Sequence, residues 1–203
     1  MQKLDLHHET ASQTAGPYVH IGCTPTFCGI DIYGGDLGAS MKTGPVQGQE
    51  ITITGAIHDG MGMVMKDAMI EIWQADAAGL YNSPEEKRGA ADPNFTGWGR
   101  SPGDMETGEF TFDTIKPGQV PWPDGRMQAP HITVWIVARG INLGLHTRIY
   151  FEDEEAANAT DPILSRIEHQ NRIPTLLAKK TAEGAYRFDV HIQGPNETIF
   201  LDM

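Results

Sequence analysis

The chain has 203 residues and a mass of 22.2 kDa, enough for one domain or two small ones with a sizeable core. Its 15 Lys and Arg stand against 27 Asp and Glu, giving a net charge of −12 and a pI near 5.0. That balance opposes nonspecific binding to nucleic-acid phosphates or anionic membranes, and an anionic substrate would need a locally placed cation to overcome the field.

Residues 1–48 show little periodicity and contain Gly16-Pro17, Gly34-Gly35 and Gly44-Pro45, so they read as a long arm wrapped over a core or a partner. The stretch Met1–Glu9 lacks the apolar run of a signal peptide, and a cytoplasmic location is expected. Cys23 and Cys28 at C-x4-C spacing allow one disulfide, although a reduced cytoplasmic pair is the simpler reading. From residue 49 to 203 the pattern changes to short strands punctuated by turns, the mark of a single all-β domain.

Glu50–Ile57 alternates apolar and polar residues and turns at His58-Asp59-Gly60. Ala68–Gln74 and Glu109–Ile115 are further strands, and His131–Ala138, the most apolar, is expected at the centre of a sheet. At seven residues, the stretch Ile132–Ala138 falls well short of the roughly 20 that span a bilayer. Arg148–Phe151, Ala185–Ile192 and Glu197–Phe200 complete the strands. Helix signals are confined to residues 152–180: an acidic turn over Glu152–Ala159, Ile163–Ile167 behind an Asp161-Pro162 N-terminus, and Pro174–Lys180. Together these predict one antiparallel β-sandwich with a few short helices.

Eight histidines invite a metal hypothesis, but their spacing does not support one. His7 and His8 point apart, His58 sits in a turn, His191 alternates with apolar neighbours, and His20, His146 and His169 lack partners at ligand spacing. No zincin, P-loop, dinucleotide-binding or G-x-S-x-G pattern occurs. His131 opens the most apolar strand, yet Thr133 occupies the i+2 position where a second imidazole would share its face. Trp73 and Trp122 read as core aromatics, and Glu152–Glu155 as a solvated face.

Several ordered stretches carry more information: Glu71–Asp76 (EIWQAD), Asp92–Arg100 (DPNFTGWGR), Thr114–Gly118 (TIKPG), Pro121-Trp122, Pro130–Ile132 and Leu145–Phe151 (LHTRIYF). In this order they resemble the intradiol ring-cleaving dioxygenases over nearly the whole chain. Ser12–Tyr18 and Ala185–Asp189 resemble most closely the iron-free chain of a two-chain member of that family. The family holds a non-haem ferric ion with two tyrosinates and two histidines. Here the loop Asn82–Ala91 has no tyrosine, Val120 stands before Pro121-Trp122 where a tyrosine is expected, and Thr133 replaces the second histidine. Tyr81 matches a position that is not a ligand in the family, and His131 alone cannot hold the ion.

The resemblance therefore implies a subunit with no metal ligand or catalytic residue of its own, paired with a homologous chain that carries Fe(III). The assembly would cleave 3,4-dihydroxybenzoate with O2 in aromatic catabolism. By the same resemblance Thr14, Gly16 and Arg139 line the substrate pocket. Gly16 would leave room for the ring and tolerate unusual backbone angles, Thr14 would offer a hydroxyl, and Arg139 a permanent cation for a carboxylate. Read without the family, Arg139 is a solvated or interface residue, and Thr14 and Gly16 shape a turn before Pro17. Two other functions are carried: a self-sufficient catechol or hydroxyquinol dioxygenase, and a non-enzymatic sandwich that binds ligands or proteins.

Overall fold

A computed structural model describes residues 13–142 and 144–202. In chain order the elements are α1 (Pro17–Cys23), β1 (Glu50–His58), β2 (Met69–Trp73), β3 (Trp98–Pro102), β4 (Glu109–Ile115), β5 (Val120–Pro121), β6 (Met127–Gln128), β7 (His131–Val137), β8 (Leu145–Phe151), α2 (Glu155–Asn158), β9 (Leu177–Ala182), β10 (Ala185–Arg187) and β11 (Val190–His191). Two 3-10 turns, Leu164–Arg166 and Gln170–Leu176, lie between α2 and β9.

The strands follow one path, β4-β1-β10-β9-β8-β7-β2-β3, with β11 also on β1 and a separate β5–β6 hairpin. The path bends at β9, whose first residues pair with β8 and whose later ones pair with β10. Two layers result, joined at one end by β9 and at the other by the tight connection from β3 to β4. Alternation places Phe110 and Phe112 of β4 and Ile132, Val134 and Ile136 of β7 in the core between them. As its composition implies, β7 is internal, flanked by β2 and β8. Gln74 ties the layers across the buried end: its amide donates to the Ile115 carbonyl and accepts from the Thr114 hydroxyl at 2.8 Å.

The β-sandwich expected from the sequence is present, but its sheet is mixed. The pairs β1–β10, β1–β11 and β8–β9 are parallel. Ala185–Ile192, expected as one strand, is two strands broken at Phe188–Asp189, where the Phe188 amide bonds to Thr54 and the Asp189 carboxylate accepts from the Ala56 amide. This crossing requires Gly55, because a Cβ there would lie 1.9 Å from the Phe188 carbonyl oxygen.

Three further expectations need correction. Pro174–Lys180, expected as a helix, is helical only to Leu176, at the end of a 3-10 turn; from Leu177 it is the strand β9, because pairing on both sides overrides the helical propensity of its Leu, Ala and Lys. Glu197–Phe200 is not a strand; its bonds are scattered, with Glu197 to Gly194 and Arg172, Thr198 to His191, and Ile199 to Thr147 and Thr175. Helix is also not confined to residues 152–180, since α1 lies in the amino-terminal segment. Within that predicted region, α2 forms, and the Asp161 carboxylate accepts from the Ile163 and Leu164 amides at the start of the first 3-10 turn, as an N-cap does.

Candidate functional site

The first of two regions surrounds His131. It is 3% exposed, and its Nδ1 donates to the Ala129 carbonyl at 2.8 Å. Burial, reinforced by the Arg148 guanidinium, lowers its pKa to about 4, so the ring is neutral. Across the β7–β8 ladder, Tyr150 faces His131 and Arg148 faces Thr133. Arg148 donates to the Gln128 side chain at 2.8 Å. Tyr150 lies between Arg148 and Asp161, and burial raises its pKa. Val120 is buried on β5, bringing an aliphatic group to the position where a phenol was expected.

Tyr81 stacks on Trp73 at a 5.8 Å ring separation, and burial raises its pKa as well. Trp73 is thus half-buried and walls a shallow cleft with Tyr81 and Val120, which corrects its expected place in the core. Trp122 is likewise half-buried, beneath the Arg166 guanidinium.

Iron held by phenolates needs tyrosines that ionise readily, together with converging lone pairs. Here the two nearby phenols are held in their protonated form, the single imidazole is buried, and a guanidinium faces Thr133. Among the described residues no three His, Cys, Asp or Glu side chains converge on a metal-sized space. The residues present do not fit a ferric ion.

The second region lies at the end of the sandwich where β1 turns into β2 and β7 into β8. A cavity of about 400 Å3 opens there, between the α1 segment and the loops that follow β1, β3 and β7. Of the three residues expected at a pocket, Gly16 and Arg139 line this cavity, and Thr14 lies behind its wall, bonded to the backbone beside Arg139. Thr14 Oγ1 accepts from the Gly140 amide at 2.8 Å and donates to the Ala138 carbonyl at 3.4 Å, so the arm is fastened on both sides of Arg139. Gly140, at φ +86°, turns the chain there.

Gly16 lines the cavity, and a Cβ built on it meets nothing within 4 Å. Its φ of −128° and ψ of −173° are extended, so the expected unusual backbone angles are not found; only the missing side chain distinguishes it. Arg139 extends into the cavity wall with its side chain 71% exposed, and its Nε lies 2.8 Å from Asp67 Oδ2.

Sequence reasoning missed Lys66, Asp67 and Met105, which complete this wall from the loops after β1 and β3. They are about 70 and 35 residues from Arg139 in the chain, and no local pattern marks them. His20 also lines the cavity, as do Phe27 and the half-buried, unbonded Cys28. His58 and His191, expected in a turn and on a polar face, are partners in the β1–β11 register and stack at 4.8 Å. The run Glu152–Glu154 is not merely solvated, since Lys179 and Lys116 pair with it. His7 and His8 lie outside the described residues.

A mixed β-sandwich of this shape, with ordered sequence signatures at its turns, defines a class. Residues 35–194 match the family model described as Dioxygenase, and the chain belongs to the intradiol dioxygenases, a family that uses non-haem iron. Among individual relatives it is 42% identical over 202 residues to the protocatechuate 3,4-dioxygenase alpha chain of Pseudomonas putida, covering 98% of each chain. It is 39% identical to the alpha chain of Burkholderia cepacia, covering 96% of this chain and 98% of that one. To the Burkholderia cepacia beta chain it is 33% identical, over 78% of this chain and 71% of that one. The fold also matches 3-chlorocatechol 1,2-dioxygenase from Rhodococcus opacus at a TM-score of 0.60 and 22% identity, over 77% of this chain and 64% of that chain.

Proposed function

We propose that this chain is the iron-free, alpha-type subunit of a protocatechuate 3,4-dioxygenase. The assembled enzyme would use O2 to open 3,4-dihydroxybenzoate between its two hydroxyl-bearing carbons, giving 3-carboxy-cis,cis-muconate. One observation carries the reading: near full-length likeness to an alpha chain is joined to a metal position holding Val120, Thr133 and a neutral buried His131. Fe(III) and its ligands then belong to a homologous beta chain, and no step of the iron chemistry is assigned to residues here.

The contribution of this chain is the wall of the substrate pocket and the surface that meets the beta chain. Arg139 receives the substrate carboxylate, with Lys66 adding positive potential in an otherwise acidic protein. Gly16 leaves space for the ring, and Thr14 anchors the arm that carries Gly16. Residues 1–48 act as the interface and pocket-lining arm, and 49–203 form the sandwich. In that arm Tyr18, Ile32, Tyr33 and Leu37 are exposed, which supports a partner that covers them. No helix among the described residues is long and apolar enough to cross a membrane, and we infer a cytoplasmic enzyme.

The test is purification from iron-replete cells, alone and after co-expression with a homologous beta chain. Alone, the chain is expected to be colourless, free of iron, and inert toward 3,4-dihydroxybenzoate and O2. The pair should carry iron, show a tyrosinate-to-ferric absorption band and take up O2 with that substrate. Stoichiometric iron and turnover in the isolated chain would overturn the proposal in favour of a self-sufficient dioxygenase.

A further inference from the structure

We propose that Asp67 is a positioning residue for substrate recognition, holding the Arg139 guanidinium by its Nε so that its two Nη groups are presented to the substrate carboxylate. This rests on the reading that Arg139 receives that carboxylate. The ion pair uses Nε at 2.8 Å, and Arg139 makes no other ion pair among the described residues. A guanidinium bound along its Nε side keeps the Nη1–Nη2 end free for a second, two-pronged carboxylate contact.

The two partners differ in how firmly they are based. Asp67 precedes the fully buried Ala68, whose carbonyl accepts from the Gly103 amide at 2.9 Å, so its backbone is tied to the sheet. Arg139 follows the end of β7 on a side chain that is 71% exposed, with several rotatable bonds. Thr14 fixes the Arg139 backbone from both sides, but it does not fix the direction of the side chain. Asp67 does. Lys66, its neighbour on the same cavity wall, makes the pocket net cationic even though Asp67 is negative.

Asp67 is itself an anion next to an anionic substrate, and this supplies a test of sign. If it acted only through its charge, removing it would relieve repulsion and lower KM. If it positions Arg139, removing it raises KM. In the assembled alpha–beta enzyme, Asp67→Ala is expected to raise KM for 3,4-dihydroxybenzoate about three- to tenfold, with kcat within about twofold. Inhibition by catechol, which lacks the carboxylate, should be unchanged. In an Arg139→Ala background, Asp67→Ala should bring no further rise.

A KM that stays level or falls on Asp67→Ala, while Arg139→Ala raises it, would overturn the positioning role and leave the function intact. Equal weakening of catechol inhibition would also overturn it, as general distortion of the wall. If Arg139→Ala itself leaves KM unchanged, the carboxylate does not bind there and both readings fall together.

Discussion

His131 is a base that burial keeps neutral, and this makes it a pH-dependent element of stability. Its folded pKa, about 4, lies below the ordinary histidine value of 6.5. Between those values the unfolded chain binds the proton and the folded chain does not, so stability falls as pH drops through this window. The contribution is complete above pH 6.5 and is lost progressively down to about pH 4, amounting to about 3 kcal/mol. His131→Asn, whose amide can still donate to the Ala129 carbonyl, should remove that dependence. Urea unfolding at pH 7 and pH 4.5 is expected to show a smaller loss for the variant than for the parent chain; equal losses would mean that His131 titrates normally. At this scale the sequence was partly legible. Thr14, Gly16 and Arg139 came from one resemblance; Gly16 and Arg139 line one cavity and Thr14 bonds beside Arg139, whereas Asp67 and Lys66 arrive from a distant loop, which no spacing reveals.

Besides the Thr14 bonds, a charged strut between elements ties the end of α1 to the sheet. Arg100 on β3 donates through Nε to Glu71 on β2 at 2.7 Å and through Nη1 to the Cys23 carbonyl at 2.9 Å, at the end of α1. Its guanidinium also lies 5.0 Å from the Trp98 ring centroid. Both charged side chains are under 20% exposed, so removing the cation strands a half-desolvated Glu71. Arg100→Ala should cost about 2–3 kcal/mol and loosen α1 more than the sandwich. Limited proteolysis should then cut within residues 13–35 well before the sheet, and the assembled enzyme should show a raised KM because Gly16 rides on that segment. Cleavage no faster than in the parent chain would mean that other contacts hold the arm.

Arg100 also shows why elements were unevenly legible. β1 and β4 announce themselves by alternation and β7 by its apolar run, but β3, Trp98-Gly-Arg-Ser-Pro102, carries neither signal, because it is an edge strand ending in proline. β9 has a helical composition and is a strand only because β8 and β10 both pair with it. The family signatures EIWQAD, DPNFTGWGR and TIKPG proved to be fold determinants. Gln74 and Thr114 bridge the layers, and the Asp76 carboxylate accepts from the Ala78, Leu80 and Asp92 amides. The resemblance could therefore survive intact while the metal positions changed.

For the molecule as a whole, charge and apolar surface act in opposite directions. A net charge of −12 keeps copies of this chain apart, yet Ile32 and Tyr33 are each 62% exposed and Leu37 59%, all within six residues. Covering such side chains contributes about 1.5–3 kcal/mol apiece when burial is complete. The association this drives should depend little on salt, because the gain comes from removing apolar surface from water and not from ion pairing. Ile32→Asp together with Tyr33→Asp places two desolvation penalties in the same contact. The double variant is expected to weaken alpha–beta association at least about tenfold, measured by sedimentation at protein concentrations near the parent dissociation constant. Because both positions are exposed in the free chain, its melting temperature should move by no more than about two degrees. Parent-like association would place the interface on another face of the sandwich. A fall in melting temperature of the isolated chain would instead show that these side chains support its own fold.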